Sequence, residues 1–472
     1  MSRRKQKNLL LEHVPVQDYA AEGKALARID GKVIFIEGAV PGDVVDILLA
    51  KNKKEWAEGR AVHFHTYSKE RTTPFCQHFG VCGGCKWQML PYQKQLQYKQ
   101  NETEQNLRRL GKVLLPVILP IIGCDKSERY RNKLEFTFSS RRYKTWDEMK
   151  VLQESPEQKE EGALGFHVPK LFDKVIDIAT CHLMEEPTNL VKNTIRTFAH
   201  EQGYTFYDIR QHTGWLRTLI IRVCTNGETM VNVCFGYDDK KQREQLFNHL
   251  LKTVPSITTL LYTINNKKND SIHDLNPIAY SGNGYITEKL GTFDFKIGPK
   301  SFFQTNSRQG EKLYEVTRDF AELAGNETVY DLYCGTGTIG IFVSGSAKKV
   351  IGVEMIPEAI EDAKANAQLN NIEHASFFAG DVIDVCNDDF FALHGKPDVI
   401  ITDPPRAGMH EKLVRKILNM KAPRVVYVSC NTATQARDLQ LLDEQYQVTK
   451  IQPVDMFPHT HHIENVVQLT LR

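Results

Sequence analysis

The chain has 472 residues, too many for one hydrophobic core, so two or three domains are expected. Its composition, 41% hydrophobic and 25% charged with a net charge of +2, is that of an ordinary soluble protein, so any basic surface must be local. The charged opening, residues 2–7, is followed by no apolar signal-peptide core, and the longest apolar stretch, 113–122, is broken by Pro116 and Pro120 and too short to span a bilayer. A cytoplasmic protein without membrane contact is therefore expected. In that compartment the ten cysteines stay reduced, and a cluster of them points to metal or catalysis before disulfides.

Residues 1–66 read as a small all-β module. Short extended runs at Ala25–Ile29 and 33–37 flank Asp30-Gly31, a strong hairpin signal. Pro41-Gly42-Asp43 turns into 44–50, and 59–64 closes the set. Between the last two lies a basic loop, Lys51-Asn52-Lys53-Lys54. Short strands in this number predict a closed barrel of the oligonucleotide-binding kind, suited to RNA. The stretch from Glu22 to Asp46 also resembles the TRAM domain, an RNA-binding barrel of RNA-modifying enzymes.

Cys76, Cys82 and Cys85 follow, with Gly80, Gly83 and Gly84 letting the loop aim several thiolates at one point. Cys181 is the expected fourth ligand, with Cys124 and Cys224 as rivals. Zinc takes four such ligands, and so does a [4Fe-4S] cluster; spacing alone leaves both open. Residues 91–112 read as a polar helix with sparse apolar positions at Leu96, Leu107 and Leu110, expected to pack across a domain boundary. The segment 86–150 is locally basic. Within it Arg129-Tyr130-Arg131-Asn132-Lys133 leads into an alternating strand at 134–138, a pattern able to grip phosphates and stack a base. The charged residues 154–162 are expected in an exposed loop. Strands are expected at 219–225, 230–235 and 260–264, between helices.

The last third alternates strand and helix. Strands are read at Thr328–Leu332, Lys349–Glu354, 375–380, 398–402, Arg424–Ser429, 447–453 and 465–470, with the clearest helix at Pro357–Leu369. Such alternation predicts a parallel sheet with helices on both faces. After the first strand, Gly335, Gly337 and Gly340 form Gly-x-Gly-x-x-Gly, and Glu354 ends the next. That pattern serves dinucleotides, and equally S-adenosylmethionine.

Two features favour the latter. Asp403-Pro404-Pro405-Arg406 follows the fourth strand as a stiff loop, able to hold a flat base against an acceptor. Ser429-Cys430-Asn431 follows the fifth and puts a cysteine at the ligand-binding edge of the sheet. A free cysteine is often only a small buried hydrophobe. A pyrimidine C5-methyltransferase needs one there, because C5 of uracil attacks a sulfonium methyl only after a thiolate has added to C6. The histidines 459, 461 and 462 raise the possibility of a metal, without a convincing further ligand set.

Over nearly its whole length the sequence resembles the RNA 5-methyluridine methyltransferases, in particular the iron–sulfur 23S rRNA branch. The resemblance is carried by the TRAM-like start, the four cysteines and Tyr130–Lys133. In the last third it is carried by Ser301-Phe-Phe-Gln-Thr-Asn306, Asp331–Gly340, Asp403-Pro-Pro-Arg, Ser429-Cys-Asn and His462-Ile-Glu464-Asn. It implies a [4Fe-4S] cluster on Cys76, Cys82, Cys85 and Cys181, with Cys430 as nucleophile and Glu464 as the base that takes the C5 proton. It implies S-adenosylmethionine against Gln304, Tyr333, Glu354, Asp381 and Asp403, with Asp403 also near the target base. Arg131 and Lys133 join Gln304 and Asp403 as expected substrate contacts. Thr338 stands where many relatives carry asparagine and is carried over only as a possible cofactor contact.

The expected architecture is multidomain. It comprises an OB-like TRAM barrel at 1–66, a central α+β domain with the cluster at 67–290, and a Rossmann-like class I methyltransferase with a seven-stranded sheet at 291–472. The expected function is methylation of uridine C5 in 23S rRNA by a monomer, with a tRNA or dual-site enzyme as the alternative. An exocyclic-amine methyltransferase would not need Cys430, and a non-catalytic RNA-binding factor would need neither Cys430 nor Glu464.

Overall fold

A computed structural model describes residues 9–145, 148–150 and 162–472. The charged opening 2–7 and nearly all of the expected loop 154–162 lie outside them. The first unit contains β1 (Leu10–Pro15), β2 (Asp18–Tyr19), β3 (Ala25–Ile29), β4 (Lys32–Glu37), β5 (Val44–Asn52) and β6 (Trp56–Thr66), in the order β1-β5-β6-β4-β3-β2. The two edge strands are joined by only Val16 and Gln17, so the sheet curls back on itself. Asp30 and Gly31 both have positive φ, 48° and 82°, the geometry of a tight hairpin between right-twisted strands. Ile34, Ile36, Val45 and Ile47 alternate inward, and Trp87, Met89 and Leu90 from the cysteine segment complete this core. The basic loop is shorter than expected, because Lys51 and Asn52 finish β5 and Lys51 pairs with Glu58 at 2.9 Å.

Helix α1 (Tyr92–Asn106) continues as a π turn, Leu107–Gly111. The apolar positions are sparse, as the sequence showed, and α1 buries Gln95, Lys99 and Thr103, spaced by four on one face, while Leu107 of the π turn is buried and Leu110 is 46% exposed. Residues 113–122 then run along the catalytic sheet, where the Leu119 and Ile122 amides donate to Ile451 and Pro453 carbonyls at 3.1 and 3.0 Å. No helix among the described residues is long and apolar enough to cross a membrane.

The central sheet contains β7 (Lys133–Ser139), β8 (Ala163–His167), β9 (Val175–Asp177), β10 (Leu216–Val223), β11 (Thr229–Phe235), β12 (Thr259–Ile264) and β13 (Ile278–Ser281). Its order is β13-β12-β11-β10-β7-β8-β9. Helices α2 (Thr188–Glu201) and α3 (Lys240–Thr253) cover it through Ile195, Leu246 and Phe247. A hairpin of β14 (Ile286–Leu290) and β15 (Phe293–Ile297) packs Ile286, Leu290 and Phe295 into one core with Val329, Val350 and Ile401 of the last third.

That last third opens with α4 (Ser307–Ala321). It alternates β16 (Thr328–Leu332), α5 (Thr338–Ser344), β17 (Lys349–Glu354), α6 (Pro357–Leu369) and β18 (Ala375–Ala379). Two short helices, α7 (Val382–Val385) and α8 (Asp388–His394), lead to β19 (Val399–Thr402), α9 (Glu411–Met420), β20 (Arg424–Ser429) and α10 (Thr432–Leu442). The chain closes with β21 (Tyr446–Val454) and β22 (Glu464–Leu471). The sheet order is β18-β17-β16-β19-β20-β22-β21. The sheet is not parallel throughout, because β22 runs antiparallel to both of its neighbours. The connection 455–463 is too short for a crossover of a dozen residues or so, and only an antiparallel return fits it.

Candidate active site

The reversal of β22 builds the site. The pairs Ser429–Asn465 and Val454–Glu464 put the start of β22 at the carboxyl edge, beside the end of β20. Cys430 and Glu464 therefore emerge next to each other, and Asp403 leaves the end of the adjacent β19. The three groups interact: Glu464 and Asp403 are the negative charges that act on the Cys430 thiol.

Their electrostatics follow from burial. The Cys430 thiol is pushed up to about 11, first by burial, then by Glu464 and Asp403, with Arg406 opposing. Glu464 is buried and held well above the usual carboxylate range, by burial and then by Asp403. Burial raises Asp403 as well. Two carboxyls and a thiol sharing a dry pocket repel one another's ionised forms. A cation docked among them would favour all three anions. A resting thiolate beside a basic side chain is not what this site contains.

The loop that carries Asp403 is clipped from α10. The Arg406 carbonyl accepts from Asn431 Nδ2 at 3.2 Å and Thr434 Oγ1 at 3.3 Å, and the Met409 amide donates to Asp438 at 2.8 Å. Asn431 also caps α10, accepting from the Ala433 and Thr434 amides. Asn431, the residue after Cys430, thus fixes both the helix and the loop that carries Asp403. The Asp403 carboxyl has no hydrogen-bond partner among the described residues, which leaves its oxygens free to accept.

The glycine loop suits an S-adenosyl group. Gly335 and Gly337 have positive φ, 53° and 77°, and nothing lies within 4 Å of where a Gly335 Cβ would stand. Glu354 accepts from the Gly335 and Ile356 amides at 3.2 and 3.0 Å, so its carboxyl is fixed at the rim. Asp331, fully buried under the loop, takes the Gly340 amide on Oδ2 at 2.8 Å while Oδ1 has no partner among the described residues. Asp381 caps α7, and Tyr333 holds a left-handed φ of 64° at the strand end. Thr338 Oγ1 lies 3.2 Å from the Tyr314 hydroxyl. Gln304 is buried in a segment that crosses the loop, where Thr336 Oγ1 donates to the Phe302 carbonyl at 3.4 Å. Asn132 Nδ2 ties that segment down through the Gln304 carbonyl at 2.9 Å and Ser307 Oγ at 2.7 Å.

Among the expected substrate contacts, Arg131 lines a cleft of about 350 Å³ and stacks over Phe457 at 5.2 Å, so it flanks the segment leading to Glu464. Lys133 pairs with Glu135 on its own strand. Tyr130 is buried and donates its hydroxyl to the Pro458 carbonyl at 3.0 Å, so it does not present a face to a base.

The structure brings Cys76, Cys82, Cys85 and Cys181 together. The charges of the other three act on Cys85, and those of Cys76 and Cys82 act on Cys181. The two rivals lie elsewhere. Cys124 donates to the Asp455 carbonyl at 3.0 Å, and Cys224 sits in the core shared with the catalytic unit. Among the described residues, His13, Asp46 and His65 on the barrel are the set of three whose ligand atoms all fall within 4.8 Å of one another. His459, His461 and His462 are kept neutral by burial, each pushed down to about 4, and form no such set.

Sequence reasoning gave no role to Asp455 or Lys99, which form a fully buried ion pair at 2.6 Å just ahead of the Glu464 loop. The available signal was the polar stripe at four-residue spacing on α1.

A sequence model of the tRNA (Uracil-5-)-methyltransferase family matches residues 282–472, and one of the TRAM domain matches residues 13–62. An uncharacterized RNA methyltransferase of Bacteroides thetaiotaomicron is 53% identical over 456 residues, covering 96% of this chain and 100% of the relative. One from Porphyromonas gingivalis is 50% identical over 458 residues, covering 96% and 98%. Among solved structures, the Pyrococcus abyssi tRNA (uracil-54, C5)-methyltransferase in complex with S-adenosyl-L-homocysteine is similar over 98% of this chain and 100% of its own. Its TM-score is 0.74 at 26% identity.

Proposed function

This chain belongs to the RNA (uracil-5-)-methyltransferase family with a TRAM domain, and from that premise we propose that it methylates uridine C5 in 23S rRNA through a covalent bond between Cys430 and C6. The observation that carries this reading is the meeting of Cys430, Glu464 and Asp403 at one sheet edge, brought about by the antiparallel β22. S-adenosylmethionine, held by the glycine loop, Glu354, Asp381, Tyr333 and Gln304, supplies the electrophilic methyl. Asp403 accepts from the N–H of the flipped uracil. Cys430 would release its proton to solvent and bond C6 through sulfur, which places electron density on C5; C5 would take the methyl as S-adenosylhomocysteine leaves. Glu464 then removes the C5 proton, the C5–C6 double bond re-forms, and the sulfur leaves. Extracting the base from its stack costs a few kcal/mol. Arg131 and Lys133, with the barrel lysines, supply the offsetting phosphate contacts.

The meeting of Cys76, Cys82, Cys85 and Cys181 in one place supports a four-thiolate group there, which we read as a [4Fe-4S] cluster. Its place is structural, since methyl transfer moves no net electrons. Anaerobically purified protein is expected to be brown and to hold about four iron atoms per chain, as four thiolates on one cluster require. Stoichiometric zinc without iron would contradict this. We read the chain as a cytoplasmic monomer.

A tRNA substrate is the second reading, favoured by the Pyrococcus abyssi enzyme, whose own substrate is tRNA. Mapping 5-methyluridine in rRNA and tRNA from a strain lacking the gene separates the two. Loss at a 23S position is expected; loss confined to tRNA would establish the alternative, and unchanged maps would refute both.

A further inference from the structure

The loop 455–463, which ends at Glu464, is held almost entirely by residues from outside the catalytic sheet. At its start, Asp455 accepts from Lys99 Nζ at 2.6 Å and from the Tyr92 hydroxyl at 2.7 Å, both on α1. In its middle, His459 has a left-handed φ of 64°, a conformation a non-glycine residue keeps only when its surroundings impose it. Those surroundings are α1 and the cysteine segment. Gln95 Oε1 accepts from the His459 amide at 2.7 Å, and Gln95 Nε2 lies 3.1 Å from His459 Nδ1. The same Nε2 reaches the Trp87 and Leu90 carbonyls at 3.1 and 2.9 Å. The Lys86 and Trp87 amides, just past Cys85, donate to the His459 carbonyl at 2.7 and 3.0 Å. Gln95 therefore hydrogen-bonds both the cysteine segment and the loop that ends at Glu464.

Cys430 is placed differently. It leaves β20 and enters α10 under the Asn431 cap, with no bond to Gln95 or to the 455–463 loop among the described residues. The two supports meet away from Gln95, where Gln435 of α10 donates to the Asn465 carbonyl at 3.2 Å and Asn106 Nδ2 of α1 donates to Thr432 Oγ1 at 2.9 Å.

We propose that Gln95 is a positioning residue for the base, through which the cysteine segment sets the rate of proton removal from C5 but not the rate of thiol addition to C6. This rests on the reading of Glu464 as that base. A loop shifted by a lost clamp misplaces Glu464, while the nucleophile keeps its geometry, and proton transfer is steep in distance.

The test is single-turnover kinetics of full-length Gln95→Leu, with RNA and methyl-labelled S-adenosylmethionine, resolved on a denaturing gel. RNA carrying 5-fluorouridine measures the steps up to methyl transfer, because fluorine at C5 cannot be removed as a proton. Gln95→Leu is expected to form the fluorouridine adduct within about threefold of the parent rate, while releasing methylated natural RNA at least tenfold more slowly. Equal slowing of both steps, or of neither, overturns the proposal. If Gln95→Leu unfolds below assay temperature, Gln95→Met serves with the same criteria. Glu464→Gln run in parallel separates the failures. If Glu464→Gln traps adduct and the Gln95 variant does not, positioning by Gln95 is refuted. If neither traps adduct, the base is not Glu464 and the proposal falls with it.

Discussion

Cys430→Ala is expected to abolish 5-methyluridine formation while leaving S-adenosylhomocysteine affinity unchanged. The loss should be roughly 10⁴-fold or more, the scale seen when a covalent nucleophile is removed from a machinery that works as a unit. The argument is chemical and spatial. Without a nucleophile at C6, C5 of uracil has too little electron density to take a methyl. The thiol stands at the end of β20, outside the glycine loop, so its removal opens no gap in the cofactor cradle. Isothermal titration gives the affinity, and turnover with labelled cofactor gives the rate. An exocyclic-amine methyltransferase would keep its activity in this variant, and full activity in Cys430→Ala would show that chemistry instead.

Glu464→Gln is expected to behave in the opposite way, accumulating an intermediate rather than losing it. Glutamine keeps the shape and a hydrogen-bonding end, but cannot act as a base. Addition and methyl transfer proceed, the C5 proton stays, and the sulfur cannot leave. Proton removal by a placed carboxylate contributes roughly 10²–10⁴-fold, so release should slow by that factor. The burial that raises the carboxyl of Glu464 makes it a stronger base once ionised, and the neighbouring Asp403 charge adds to that. On a denaturing gel, a slow RNA band carrying the methyl label should build up. A band without methyl would mean that Glu464 acts before transfer, and undiminished turnover would remove it from the mechanism.

Much of this site was legible because parallel strands buried on both faces leave short apolar runs, such as Val399–Thr402, and catalytic residues follow their carboxyl ends. The glycine loop was legible for the same kind of reason. Gly335 and Gly337 need left-handed backbone, while Gly340 is required by packing, since a Cβ there would meet Asp331 Oδ2 and Val350 Cγ1 at 3.0 Å. The direction of β22 was not legible. Alternation has no arrow, and only the brevity of the 455–463 connection carried that information. Nor was the packing face of α1, because a search for apolar periodicity passes over Gln95, Lys99 and Thr103. Gln95 and Lys99 are buried to satisfy other segments' carbonyls and a carboxylate, and such a purpose is visible only once the loop is in place. Tyr130 misled for a related reason. Flanked by arginines it reads as a stacking aromatic, yet its ring fills the central core and its hydroxyl serves Pro458.

The central claim is a covalent bond from Cys430 to the substrate base, and peptide mapping of the trapped Glu464→Gln complex tests it most directly. The complex is formed with RNA and S-adenosylmethionine, digested with protease and nuclease, and read by tandem mass spectrometry. The expected product is a single peptide spanning Cys430, joined through sulfur to a uridine that carries the new methyl group. Attachment at any other residue, or no covalent peptide from a complex that still methylates RNA, would contradict the account.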